Sequence, residues 1–192
     1  MYAAFVAAAV IVLRARFAAR MALRRTSGGY LLVAGVAWAV AYSVTIVGHL
    51  LLSPVLGPWS STGTLLLAIG SDDGRLAHAE PMLMVIVLGR ACLLAPVGEE
   101  LLFRGALFSW LRQHVSAAWT IAITAAAFAL IHGYPPLILL GFILGLASGW
   151  VRECSGSVVP TVVLHVFHNI VMVAFSYAAT GWTARLPAWG HG

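Results

Sequence analysis

Residues 95–105 have the sequence Ala95-Pro-Val-Gly-Glu-Glu-Leu-Leu-Phe-Arg-Gly105, which places two carboxylates and a guanidinium inside an otherwise apolar part of the chain. An ionised side chain at bilayer depth costs roughly 2.5 to 3.5 kcal/mol on insertion scales, so these charges need a reason to be there. In a helix, Glu100 and Arg104 are four residues apart and pair on one face, while Glu99 is turned about 100° away. The stretch therefore predicts a helix with one carboxylate held by an arginine and one available for chemistry.

The rest of the composition is that of a membrane protein. The chain has 192 residues, of which 61% are hydrophobic and only 9% are charged, and its mean hydropathy is +0.96. Soluble domains carry about 25% charged residues, so this composition excludes a water-soluble domain. We expect an all-α, polytopic helical membrane protein with about five to six transmembrane helices and an active site within the bundle.

The net charge of +5 comes from arginine alone, since the chain has no lysine. Five of the eleven arginines lie between residues 14 and 25, beside apolar segments, where the positive-inside rule places cytoplasmic anchors. We therefore expect the lipid bilayer, and no nucleic acid, as a partner. The alanine-rich, lysine-free composition indicates a bacterium, and the predicted location is a multi-pass position in its inner cell membrane. Cys92 and Cys154 give no disulfide framework.

Two parts are predicted along the chain. Residues 1–28 form a short N-terminal apolar segment and a basic juxtamembrane region, and residues 29–192 form one polytopic domain with a motif core at 81–178. The apolar run at 2–13 is shorter than the roughly twenty residues of a span, so its nature stays open. A loop with an interfacial patch is expected at 53–80. The predicted spans are 29–53, 81–112 with a kink near Pro96, 117–132, 137–151 with a ladder of glycines for close helix packing, and 158–177.

Three polar clusters remain within these apolar spans. They are Glu99-Glu100-x3-Arg104, Phe128-x3-His132 and His165-x3-Asn169. Each spacing is one helical turn, and a rise of about 1.5 Å per residue brings all three clusters to a similar depth. Polar groups are rare inside a membrane, so their convergence indicates a functional site. His168 lies three residues after His165, and spacing alone does not choose between these two rings.

The order of these clusters resembles the three motifs of the CPBP family of intramembrane endopeptidases. This family includes the type II CAAX prenyl proteases and the bacterial Abi proteins that are linked to bacteriocin self-immunity. The resemblance covers about 81–177 and implies that 29–192 is an intramembrane protease domain, although its N-terminal part is short for the family. It implies His165 as the third-motif histidine and a catalytic set of Glu99 as the water-activating carboxylate, Glu100 and Arg104 as its support, and His132, His165 and Asn169 as the rest of the site.

The predicted function is an intramembrane endopeptidase that hydrolyses a peptide bond in a membrane-anchored peptide or protein. Glu99 with His132 deprotonates a water, and His165 with Asn169 stabilises the oxyanion. No cofactor is expected. The alternative within the same class is a zinc site with His132, His165 and Glu99 as candidate ligands. A proton-relay transporter and a catalytically silent immunity protein are the competing classes, and the absence of an internal repeat disfavours the transporter.

Overall fold

This computed structural model describes residues 21–56, 81–133 and 135–183, which form helices joined by short turns. Helix α1 spans Gly28–Leu56. A continuous helical run then extends from Pro81 to Leu111 and consists of α2 (Pro81–Leu88), a π-helical segment π1 (Gly89–Leu94), α3 (Ala95–Glu100), a second π-helical segment π2 (Leu101–Leu107) and α4 (Phe108–Leu111). Three further helices follow in the described part of the chain, α5 (Ala117–Leu130), α6 (Pro135–Ser155) and α7 (Val159–Thr183).

The all-α prediction is confirmed over these ranges, and each predicted span from 29 onward corresponds to a helix. Two of the described helices, at Gly28–Gly48 and Leu137–Ser155, are long and apolar enough to cross a membrane. The apolar helices at Ala117–Leu130 and Val159–Phe175 are shorter. The apolar run at 2–13, most of the loop predicted at 53–80 and the tail from residue 184 lie outside the described residues.

Glycine and proline set the ends of the later helices. Gly133 follows α5 with φ of 67°, and Gly156 follows α6 with φ of 63°, a region that favours glycine because a Cβ is strained there. The amide of Gly156 donates to the carbonyl of Arg152 at 3.1 Å and closes the last turn of α6. Helix α6 begins with Pro135 and Pro136, where a missing amide hydrogen costs no helical hydrogen bond. The connections are therefore short, and α5, α6 and α7 pack as neighbours.

Many large apolar side chains lie on the outside of the fold, and several hydroxyl side chains lie inside it. Large apolar groups such as Leu32, Leu51 and Trp119 are exposed, while Thr120, Thr124, Ser148 and Thr161 are fully buried. The hydroxyl of Thr124 donates to the carbonyl of Thr120 at 2.8 Å, so its polarity is satisfied within its own helix. In lipid, an apolar exterior costs nothing, and small or hydroxyl side chains allow helices to approach closely. The arrangement is that of helices packed for a bilayer.

Helix α6 is the central element, since it packs against α5 most extensively and also against α1 and α7. Its glycine ladder faces α5, as the sequence predicts. A Cβ added at Gly145 would lie 2.9 Å from both the Cα and the Cβ of Ala125, and one at Gly149 would lie 3.0 Å from Ile121. These glycines let the two backbones come together, which brings the end of α5 close to α6.

The segment before α1 is part of the folded body. Met21 is completely buried, and the carbonyl of Ala22 accepts a hydrogen bond from the amide of Val158 at 3.0 Å. The hydroxyl of Ser157 donates to the carbonyl of Arg24 at 2.8 Å and accepts from the amide of Val159 at 3.1 Å, so it caps the start of α7. The N-terminal segment thereby fixes the beginning of the helix that carries His165.

An exposed ion pair joins Glu153, near the C-terminal end of α6, to Arg112, the residue after α4. Arg112 donates to both carboxylate oxygens of Glu153, at 2.9 and 3.1 Å. These hydrogen bonds, with the charge of Glu153, raise the pKa of Arg112 above its usual value.

Candidate active site

The predicted site residues meet at a partly open cavity of about 200 Å³ between π1, α3, α5, α6 and α7. Glu99, His132, His165 and Asn169 line it, together with Phe128. Glu100 and Arg104 do not line the cavity, and both are fully buried behind it. Residues that are far apart in sequence therefore form two layers, a cavity wall and a charged support.

The support is the ion pair that the four-residue spacing predicts. Nη1 of Arg104 lies 3.0 Å from Oε1 of Glu100, and neither side chain is more than 1% exposed. Nη2 of Arg104 donates to the carbonyl of Gly145 at 3.1 Å, and the guanidinium lies 4.5 Å from the ring centre of Phe128. Further hydrogen bonds offset the desolvation cost of such a buried pair, and the backbone of α6 supplies one of them. Oε2 of Glu100 and Nε of Arg104 have no hydrogen-bond partner among the described residues.

His165 connects the support to the cavity wall. Its Nδ1 lies 3.0 Å from Oε1 of Glu100. An ionised carboxylate only accepts hydrogen bonds, so Nδ1 carries the hydrogen and a neutral His165 has its lone pair on Nε2. That Nε2 lies 3.7 Å from Oε2 of Glu99, and both side chains are at most 5% exposed. Glu100 therefore orients His165 so that its free nitrogen is directed at the second carboxylate.

His132 has its tautomer fixed in the same way. Its Nδ1 lies 3.0 Å from the carbonyl oxygen of Phe128, one turn earlier on α5. A carbonyl only accepts, so Nδ1 donates and Nε2 of the neutral ring keeps a lone pair. The rings of Phe128 and His132 pack edge to face with centres 5.0 Å apart, which holds the imidazole in place. Two imidazoles with unprotonated Nε2 atoms thus line the same cavity as Glu99.

Asn169 is bound to the π-helical segment that precedes Glu99. Its side-chain nitrogen donates to the carbonyl of Ala91 at 2.8 Å. A π-helical turn leaves backbone carbonyls without the usual helical geometry and is frequent at functional sites. The bond joins α7 to π1 and leaves Asn169 with one further N–H and its carbonyl oxygen.

The structure adds three residues that the sequence reasoning did not assign to the site. His168 is 5% exposed and lines the cavity, and its Nδ1 lies 3.2 Å from the indole nitrogen of Trp38 on α1. Arg90 of π1 also lines the cavity. The spacing of His168 from His165 and the charge of Arg90 in an apolar run were visible signals. No sequence pattern indicates that Trp38 belongs to the site, because none predicts that α1 packs against α7.

The choice between the metal-free mechanism and the zinc alternative stays a prediction. In the described ranges, no group of three or more His, Cys, Asp or Glu side chains is spaced to hold a metal ion, including the candidate ligands His132, His165 and Glu99.

A bundle of apolar helices that surrounds a carboxylate and two oriented imidazoles has the architecture of a membrane-embedded hydrolase. Residues 81–171 match the family model described as type II CAAX prenyl endopeptidase Rce1-like, which supports the CAAX protease-like family for this stretch. The predicted family is confirmed, and the matched stretch contains all six predicted site residues. Comparisons with curated proteins and with solved structures give no match.

Proposed function

We propose that this chain is a multi-pass endopeptidase of the inner cell membrane that hydrolyses a peptide bond in a membrane-anchored peptide or protein, with Glu99 as the base that activates water. One observation carries the proposal. The hydrogens of His132 and His165 are committed to Phe128 and Glu100, so both Nε2 atoms are free to accept at the cavity that Glu99 lines. Three acceptors at one small cavity are suited to holding and deprotonating a water molecule.

The reaction needs no group beyond this chain and water. A water that donates to Glu99 and to Nε2 of His132 attacks the carbonyl carbon of the scissile peptide bond, and its proton passes to Glu99. The new carbon–oxygen bond pushes the carbonyl electrons onto oxygen, which becomes an oxyanion stabilised by hydrogen-bond donors. Glu99 then gives the proton to the amide nitrogen, the oxyanion electrons re-form the carbonyl as the carbon–nitrogen bond breaks, and a carboxylic acid and an amine leave. The acid loses the second proton of the water to the amine or to solvent and becomes a carboxylate.

The buried pair has a supporting role in this mechanism. Arg104 balances the charge of Glu100, so Glu100 remains an acceptor and keeps Nδ1 of His165 protonated. His165 in turn keeps its Nε2 beside Glu99. Loss of this support misorients the ring without removing any atom that touches the substrate.

Glu99→Gln tests the assignment. The amide keeps the shape of the side chain but cannot accept the proton, so turnover of an internally quenched prenylated CAAX peptide falls by about 10²- to 10⁴-fold. Glu153→Gln is the matched control, because Glu153 is a carboxylate of the exposed pair outside the cavity. Both purified variants keep the wild-type thermal midpoint. A Glu99→Gln protein with near wild-type turnover would overturn the proposed base. A wild-type protein that cleaves neither the prenylated CAAX peptide nor an unprenylated hydrophobic peptide would overturn the protease function.

A further inference from the structure

The proposed hydrolysis leaves the oxyanion with too few donors among the predicted residues. Nδ1–H of His165 is committed to Glu100 at 3.0 Å, so a neutral His165 offers only a lone pair at Nε2. One N–H of Asn169 is committed to the carbonyl of Ala91 at 2.8 Å. Of the predicted oxyanion pair, a neutral His165 therefore offers no donor and Asn169 offers one N–H, whereas oxyanion stabilisation relies on donors that are oriented before the reaction begins.

His168 has the opposite tautomer to its two neighbours. The indole nitrogen of Trp38 lies 3.2 Å from Nδ1 of His168. An indole N–H only donates, so Nδ1 of His168 is the acceptor and the hydrogen of the neutral ring is on Nε2. Among the three imidazoles that line the cavity, His132 and His165 thus have a free Nε2 lone pair, and His168 has an Nε2–H.

Trp38 occupies the Nδ1 edge of the His168 ring, and Trp38 does not line the cavity whereas His168 does. We infer that the opposite edge of the ring, which carries Nε2, is the edge available to the cavity. The ring is 5% exposed, which leaves the cavity as the place where its Nε2–H can find an acceptor.

We propose that His168 is a further catalytic residue, whose Nε2–H donates to the oxyanion, and that Trp38 is a positioning residue that holds His168 in the donor tautomer. This inference rests on the proposed endopeptidase function and adds a residue to it. The tautomer then sets the role of each ring: His132 and His165 accept hydrogen bonds near Glu99, and His168 together with Asn169 donates hydrogen bonds to the oxyanion.

The indole of Trp38 is itself held in place. It stacks on Tyr42 with ring centres 5.3 Å apart and packs edge to face on Phe167 at 4.8 Å. Phe167 is the neighbour of His168 on α7. The packing of Trp38 on Phe167 therefore holds the indole against the same helix that carries His168. Trp38 also lies outside the stretch that matches the family, so α1 contributes to the site as well as to the bundle.

Two substitutions at one position separate the donor role from a structural role. In His168→Gln the side-chain amide nitrogen reaches the position of Nε2 and keeps a donor there, but the acceptor for Trp38 is lost. In His168→Asn the side-chain oxygen reaches the position of Nδ1 and keeps the acceptor, but the donor is lost. The donor role predicts that His168→Asn lowers kcat on the quenched prenylated CAAX peptide by about 10²- to 10³-fold with little change in KM, and that His168→Gln retains most of kcat. Trp38→Phe, which frees the tautomer, gives a smaller loss of kcat.

The reverse order, with His168→Gln inactive and His168→Asn active, would show that His168 only anchors Trp38 and would overturn the proposal. Equal losses in the two variants would also overturn the donor role. Equal turnover by wild-type and Glu99→Gln proteins overturns the proposed base instead, and a wild-type protein that cleaves neither peptide overturns the protease function, so these failures are distinguishable.

A measurement on the unmodified protein covers the case in which the variants do not fold. Nitrogen-15 NMR of histidine-labelled protein reports which ring nitrogen carries the hydrogen. We expect one cavity histidine with Nε2–H and two with Nδ1–H, and we expect Trp38→Phe to shift only the first. A third ring with Nδ1–H would contradict the assignment without any activity assay.

Discussion

At the scale of single residues, Arg104 divides its guanidinium between Glu100, the carbonyl of Gly145 and the ring of Phe128. These three partners belong to three helical segments, so one buried cation connects the helix that carries Glu99 to α5 and α6. Sequence spacing predicts the pair with Glu100, because four residues are one helical turn. It does not predict the bond to Gly145, which depends on how closely α6 packs.

Arg104→Ala should lower the stability of the fold strongly. It leaves Glu100 as a buried charge without its partner, a change that costs about 3 to 5 kcal/mol. Arg112→Ala is the matched control, since it breaks the exposed pair with Glu153, and surface pairs contribute little. Unfolding of the two purified variants in mixed micelles gives both free energies. Similar losses in the two variants would contradict the supporting role of the buried pair.

The predicted metal independence of the activity can also be tested at the scale of single residues. We expect the protein to keep its activity after chelation and dialysis, with far less than one metal ion per chain by elemental analysis. Glu99 and the two free Nε2 atoms can hold a water by hydrogen bonds alone. In a zinc enzyme, activity would vanish with the chelator and return with added zinc, and His132→Ala would lose metal and activity together. Stoichiometric zinc that restores a stripped protein would overturn the metal-free mechanism while keeping the same residues.

At the scale of elements, the two π-helical segments mark the limit of what the sequence can predict. The helical run from Pro81 to Leu111 follows from its apolar character, and a disturbance near Pro96 follows from proline. The structure instead places π-helical turns at Gly89–Leu94 and Leu101–Leu107, on either side of the helix with Pro96. No propensity distinguishes such turns, because they are selected by contacts with other helices, such as the bond from Asn169 to Ala91. Convergence of the three motifs was predictable from depth, whereas the contact between Trp38 and His168 was not.

Gly145→Ala tests how strictly the α5–α6 contact determines the site. The added methyl group would lie 2.9 Å from the backbone of Ala125, so the helices must separate, at a cost of about 1 to 3 kcal/mol. The carbonyl that accepts from Arg104 moves with them, and turnover falls as well. Gly35→Ala is the control: nothing lies within 4 Å of its added Cβ, and alanine is the better helix former. Unfolding free energies and turnover of both variants check this, and a tolerated Gly145→Ala would contradict the close-packing interpretation.

At the scale of the whole molecule, the arginines predict which side of the membrane each end faces. Arg112, Arg152 and the N-terminal segment with Arg24 line one cavity at the same end of the fold, as expected for the cytoplasmic side. The native Cys154 is exposed at this end. The acidic 72–73 pair, which is predicted on the opposite side, lies outside the described residues.

Thiol labelling in intact cells tests this topology. In a chain with Cys92 and Cys154 replaced by alanine, Gln113→Cys should be protected from an impermeant reagent, and Asp73→Cys should be labelled. Labelling of the Gln113→Cys protein after cell lysis is the control for access. The reverse pattern in intact cells would overturn the predicted orientation.

The position of Glu100 and Arg104 on a single helix also bears on how the chain is made. The ribosome delivers this helix before α6 supplies Gly145 and before α7 supplies His165, so for a time the two charges have only each other. Because they are one turn apart, Arg104 can neutralise the charge of Glu100 within the nascent helix, before α6 and α7 have been synthesised. A cation placed on a later helix could form the same finished contact, but the anion would then enter the bilayer alone. The local pair thus makes the order of synthesis compatible with a charged site.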